Sequence, residues 1–260
     1  MHKFIFIVTL AVTTFAWAQS PFVGTWKLDP AKGHYTDTTF TYTETSPGHF
    51  LFKTGSFSYE FNMDGKDYPM MVRNTTNAWQ PTGQNRWHQT QKLDGKITGE
   101  TDTAISDDGK TMIDIGKGKA EDGTPSQSKV TYQRVSGGPG LAGTWKTANT
   151  KFEGDFILVI SEPSSDSMKL EDKHNKVVST GPTDGKTPWT ITSLHPDATS
   201  HFSSTNLRTS PRSVTYTNSV DGKLIGKGEM NVSADGQTLT DTYWDVKQPD
   251  QRTKDVYAKQ

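Results

Sequence analysis

The sequence predicts an all-β protein, two tandem antiparallel up-and-down β-barrels behind an N-terminal signal peptide, and three observations carry that prediction. Short runs rich in Thr, Val, Tyr and Phe alternate apolar with polar residues, as in Thr39-Phe40-Thr41-Tyr42-Thr43 and Phe57-Ser58-Tyr59-Glu60-Phe61. That is the period of a strand with one dry face. Asp-Gly pairs beginning at Asp64, Asp94, Asp108, Asp122, Asp184, Asp221 and Asp235 punctuate the runs. Such pairs accept the positive φ of tight hairpin turns, and no sustained helical stripe interrupts them. The third observation is an internal duplication.

Phe22-Val23-Gly24-Thr25-Trp26-Lys27 returns as Leu141-Ala142-Gly143-Thr144-Trp145-Lys146, with the same four residues from the glycine onward. Three further pairs keep the order: Asp64-Gly65-Lys66 with Asp184-Gly185-Lys186, Asp94-Gly95-Lys96 with Asp221-Gly222-Lys223, and Ser106–Thr111 with Ser233–Thr238. A looser match joins Val130–Arg134 to Asp255–Lys259. Collinear anchors mean a tandem repeat. Ser136-Gly137-Gly138-Pro139-Gly140 separates the copies and reads as a flexible linker. The expected organisation is therefore a signal peptide over 1–18, one barrel over 19–135, the linker over 136–140 and a second barrel over 141–260. Each unit approaches the commonest domain size of about 100–150 residues. A meander of that many strands must close or leave adhesive edges, and an up-and-down barrel closes it.

At the N-terminus, Lys3 precedes the apolar run Phe4–Ala11 and the small-residue site Ala16-Trp17-Ala18, the pattern of a secretory signal peptide. The run is too short to cross a bilayer, and no later segment approaches the ~20 consecutive apolar residues of a span. The mature chain is thus expected in a periplasm or outside the cell. The 28 basic and 29 acidic residues leave a net charge of −1, which gives no electrostatic grip on nucleic acid. With no cysteine, the chain has no disulfide, thiolate metal site or Cys nucleophile.

Gly24-x-Trp26 and Gly143-x-Trp145, each after a hydrophobic residue and opening a meander, resemble the Gly-x-Trp signature of the lipocalin and fatty-acid-binding-protein superfamily. The first unit in particular is similar to uncharacterised secreted lipocalin-like proteins of bacteria. The resemblance implies that the tryptophan closes one barrel end and that a basic residue of the last strand packs across its ring. Arg134 fits that role, and Lys259 departs from it by being a lysine. Gly24, Trp26, Arg134, Gly143, Trp145 and Lys259 are therefore the structural signature.

Catalytic and metal patterns are sparse. The histidines at 34, 49, 88, 174, 195 and 201 form no His-x-x-x-His pair, and His195, His201 and Asp197 make the one local cluster of possible ligands. No Gly-x-Ser-x-Gly elbow exists, and Gly116-Lys117-Gly118-Lys119 lacks the following helix of a phosphate loop. Neither metal nor cofactor is expected.

Aromatic residues supply the candidate pocket. Phe50, Phe52, Phe57, Tyr59 and Phe61 alternate along two runs, followed by Met63, Met70, Met71, Trp79 and Trp87. The expected ligand-binding set is Phe52, Phe57, Tyr59, Phe61, Met70, Trp79 and Trp87, with Arg73 or Arg86 to meet a ligand carboxylate. Trp189, Phe202, Tyr216, Met230, Trp244 and the run Phe156–Ile160 in the second unit read as structure rather than as a pocket. Three functions stay open. The first is an exported, non-enzymatic carrier of a small hydrophobic or amphipathic ligand. The second is an envelope module whose side-chain-filled barrels bind a protein or glycan. The third is a hydrolase or isomerase drawing on His88, Arg86 and Glu60.

Overall fold

The computed structural model describes residues 20–71, 74–119, 125–174, 176–193 and 201–260, and every regular element in it is a strand. The expected signal peptide, 1–18, lies outside the described residues. In chain order the strands are β1 (Gly24–Leu28), β2 (Thr39–Ser46), β3 (His49–Thr54), β4 (Phe57–Asn62), β5 (Asp67–Pro69), β6 (Thr75–Gly83), β7 (Arg86–Leu93), β8 (Lys96–Ile105), β9 (Thr111–Lys119) and β10 (Pro125–Ser136). The second half continues with β11 (Gly143–Glu153), β12 (Ile157–Ser164), β13 (Ser167–Asp172), β14 (Val177–Pro182), β15 (Thr190–Ser193), β16 (Phe202–Ser210), β17 (Ser213–Val220), β18 (Lys223–Val232), β19 (Thr238–Asp245) and β20 (Arg252–Lys259).

The strands build two antiparallel sheets of ten, each curled until its edges nearly meet. Barrel one runs β4-β3-β2-β11-β10-β9-β8-β7-β6-β5, and barrel two runs β15-β14-β13-β12-β1-β20-β19-β18-β17-β16. Asp-Gly makes the expected hairpins. Asp94 and Gly95 (φ 49° and 74°) join β7 to β8, and Asp221 and Gly222 (φ 48° and 73°) join β17 to β18, both central residues having the positive φ of a turn matched to strand twist. In barrel two the gap between sheet edges is bridged by Gly185 N–H to Asn206 O (2.8 Å) and Trp189 N–H to Ser204 O (2.8 Å). No helix among the described residues is long and apolar enough to cross a membrane.

Sheet membership does not follow the repeat boundary. The first strand of each repeat closes the barrel of the other: β1 lies between β12 and β20, and β11 lies between β10 and β2. Units 19–135 and 141–260 therefore do not close on their own strands. The stretch expected as a linker, 136–140, belongs to the hairpin turn between β10 and β11, where Gly137 and Gly140 have φ of 110° and 80°. The two glycines at positive φ return the chain antiparallel onto the strand it left. The crossings are at 29–38 and 154–156. The barrels also touch through side chains, where Ser56 N–H and Oγ donate to Asp245 (2.7 and 3.0 Å) and Thr39 N–H donates to Gln251 Oε1 (2.7 Å).

The repeated motif explains why these two strands are fixed. Trp26 is fully buried in barrel two with Phe22, Ile160 and Leu239, and Trp145 is fully buried in barrel one with Leu141, Tyr42 and Met112. A buried indole N–H needs an acceptor. Trp26 donates to Phe22 O (2.8 Å) and Trp145 to Leu141 O (2.9 Å), so each motif folds back on itself. That backbone requires glycine: Gly24 and Gly143 have φ of 149° and 140°, and a Cβ on Gly143 would lie 2.4 Å from Ser136 O. The basic residues of the last strands do cover the tryptophans, yet the exchange hands each to the other repeat's ring. Arg134 stacks 4.0 Å from Trp145, and Lys259 Nζ is 5.0 Å from Trp26. Arg134 also donates to Ala142 O and Gly140 O (2.7 and 2.5 Å), pinning the turn, while Lys259 makes one longer bond to Pro21 O (3.4 Å).

Two outcomes test the exchange. Trp26→Ala should destabilise by roughly 3–5 kcal/mol and lower hydrogen-exchange protection first in 157–259, whereas Trp145→Ala should expose 39–136. Loss confined to each tryptophan's own repeat would refute the topology. Proteolytic nicking between Gly137 and Gly140 should leave two fragments that co-elute and separate only in denaturant, because each fragment holds a strand of the other's barrel.

Candidate binding site

Barrel one is filled at the end where a pocket was expected. Phe61 and Trp79 stack at 4.7 Å between centroids, and Tyr59 and Phe61 at 5.3 Å. Phe61 and Trp79 are fully buried, Tyr59 and Trp87 nearly so, and Phe52, Phe57 and Met70 pack against them half-buried. These seven residues do converge, as core. Arg86 is exposed at the start of β7, and Arg73 lies outside the described residues.

Strand register shows why barrel two is different. Counting outward from the exchanged tryptophans aligns Tyr42 with Ile160, Phe52 with Leu170, Tyr59 with Ser179 and Phe61 with Gly181 on one side. On the other side Trp87 aligns with Val214 and Trp79 with Asn206. Each equivalent side chain in barrel two is smaller. Trp189 partly refills the space, its ring lying where a Cβ on Gly181 would come within 2.4 Å, and the same register places Tyr216 where barrel one has Gln89 and Met230 where it has Thr103, yet these three do not fill it.

The remainder is a cavity. A chamber of about 360 Å³ walled by Leu170, Val177, Trp189, Phe202, Tyr216 and Met230 opens into a wider space of about 840 Å³ reaching Tyr243, Trp244 and, across the barrel junction, Phe57 and Thr38. This is the scale of small-molecule sites, which are mostly apolar with a few placed polar groups. Trp189, Phe202, Tyr216, Met230 and Trp244, expected as structure, line it.

Besides amides and hydroxyls such as Asn206, Asn218 and Ser179, the walls carry acids and phenols. Tyr216 OH donates to Asp241 Oδ1 at 2.8 Å. Burial pushes the Asp241 carboxyl up to about 7, against the pull of that hydrogen bond, with the nearby Asp255 charge adding to the rise. Asp255 stands directly across from Asp241 in the β19–β20 register and is itself raised by burial and by Asp172. Lys227, the only lysine or arginine among the described residues of the cavity walls, is exposed. Barrel one holds the counterpart of Asp241 at Asp114, raised by burial to about 6 with Thr103 and Tyr132 bonds opposing. The repeat alignment carried this signal, since Met112-x-Asp114 and Leu239-x-Asp241 follow matching Asp-Gly turns.

The other expected chemistry does not converge. His88 pairs with Asp102 (2.8 Å) and Glu60 with His49 (3.1 Å), both partly exposed on the sheet exterior and away from the cavity walls. His201 bonds Asp221 at a turn (2.5 Å), while His195 and Asp197 lie outside the described residues. No group of three or more His, Cys, Asp or Glu side chains could hold a metal among the described residues. Comparisons with family models, curated proteins and solved structures return no match.

A buried acid whose folded pKa is raised keeps its proton in the folded state while the unfolded chain, near the ordinary value of about 4, releases it. Asp241 and Asp114 thus stabilise least at high pH, and their cost grows as pH rises from about 4 to 7. Asp241→Asn should flatten the stability profile over that window, gaining roughly 1–3 kcal/mol at pH 8 and little at pH 4. Urea unfolding across pH 4–8 checks this, and an unchanged profile in the variant would refute the assignment.

Proposed function

We propose that the protein is an exported, non-enzymatic carrier of a small amphipathic ligand, held in the cavity of barrel two and not in the aromatic interior of barrel one. The single observation that carries this reading is the chamber of about 360 Å³ at Ser179 and Asn206, where barrel one has Tyr59 and Trp79, which opens into a wider space of about 840 Å³ between mostly apolar walls. Contact with such walls contributes roughly 25 cal/mol per Å² of apolar surface removed from water. No histidine among the described residues lines the cavity, and Asp241 is engaged by Tyr216, which favours binding over acid–base turnover. The export signal and the periplasmic or extracellular address rest on the Lys3 to Ala18 pattern.

The head group follows from the acids. Asp172, Asp241 and Asp255 line the walls, so above the raised pKa of the buried acids a ligand carboxylate would meet like charge, whereas an amine or hydroxyl donor would meet acceptors. A neutral naphthylamine probe should enter the protein saturably. Dodecylamine and dodecanol should displace it at concentrations about tenfold lower than dodecanoate, a difference of ~1.4 kcal/mol. Ser179→Phe, which restores a ring at the Tyr59-equivalent position, should abolish uptake. No uptake by the unaltered protein would overturn the carrier reading, and equal displacement by dodecanoate would overturn the head group.

A further inference from the structure

Barrel one is not filled throughout. Beyond its aromatic end lies a separate recess of about 380 Å³, walled by the amides of Asn77 and Gln89, the hydroxyls of Thr101 and Ser128, and the rings of Phe152 and Phe156. Glycines on β9 keep it open. A Cβ on Gly116 would lie 2.7 Å from Ser128 Oγ, and one on Gly118 would lie 3.1 Å from Ser126 Oγ.

A chain of hydrogen bonds decides what the recess presents. Thr103 Oγ1 donates to Asp114 Oδ1 (2.6 Å), so Thr103 accepts from Gln89 Nε2 (2.7 Å). The Gln89 amide is thereby oriented, its Oε1 accepting from Asn77 Nδ2 (3.1 Å), which also donates to Tyr59 OH (3.1 Å). Both donors of Asn77 are used. Its carbonyl Oδ1 is buried without a partner, on a residue only 6% exposed. Leaving a buried acceptor without a donor is unfavourable, and the network prevents the amide from turning to hide it.

The occupant must supply a donor to that oxygen, further hydroxyls to the amides and hydroxyls around it, and an apolar face to Phe152 and Phe156, whose centroids are 5.5 Å apart. It need carry no charge. The rim ions Glu100 and Lys117 are engaged outside, with His88 (3.4 Å) and Asp102 (2.8 Å) respectively, and His174, packed on Phe156, adds a second buried unpartnered atom, its Nδ1. A pyranose has this distribution, with hydroxyls around its edge and C–H groups on its faces. We propose that this recess is a second binding site, taking a neutral hexopyranose with one hydroxyl donating to Asn77 Oδ1.

Saturation-transfer NMR of the full protein with glucose, galactose and maltose tests the site. At least one sugar should show transfer to its ring C–H protons with millimolar or tighter affinity. Asn77→Leu should weaken binding at least about tenfold, the loss of one well-made polar contact. Should that variant fail to fold, Gly118→Val fills the recess from a regular strand position with only the Ser126 hydroxyl to displace, and should have the same effect. Asp241→Asn, in the other barrel, should leave transfer unchanged. No transfer from any of the three sugars, or transfer that survives whichever of the two recess variants folds, would overturn the proposal.

Discussion

The buried indole N–H of each repeat's opening tryptophan is the constraint on which the rest depends. Because Trp26 and Trp145 satisfy that donor with a carbonyl four residues earlier, each motif is a self-contained plug that must be buried whole, with its preceding Phe22 or Leu141. The plug carries a strand with it, and the hairpin turn after β10 delivers the second plug to barrel one. The first is then left to complete barrel two. Neither barrel closes from its own repeat, so the two share one folding fate, and the junction through Asp245, Ser56, Gln251 and Thr39 is a consequence of the exchange as much as a cause of it.

Within that shared frame the repeats have diverged in opposite directions. Barrel one stacks rings at one end, while polar residues line a recess of the same interior. Barrel two has smaller residues at the ring positions and adds Asp172 and Asp255 to the acid the two barrels share. Asp114 and Asp241 occupy the same place, yet Asp114 anchors a chain of amides through Thr103, and Asp241 meets Tyr216 beside an apolar space. One inherited carboxyl thus orients a polar recess in one copy and stands in the wall of a hydrophobic cavity in the other.

The sequence by itself determined the all-β class, the duplication and the hairpins at Asp94-Gly95 and Asp221-Gly222. These are set by local periodicity, turn chemistry and residue type, all of which act over a few residues. Tertiary structure alone decided which barrel each first strand completes, because residues 136–140, expected as a linker between units, turn the chain back so that β11 pairs with β10. It also decided which interior is hollow. Clustered aromatics such as Phe57, Tyr59 and Phe61 look alike in sequence whether they line a cavity or fill one. The answer depends on whether rings from opposite walls meet, and that is fixed by barrel register rather than by any single strand.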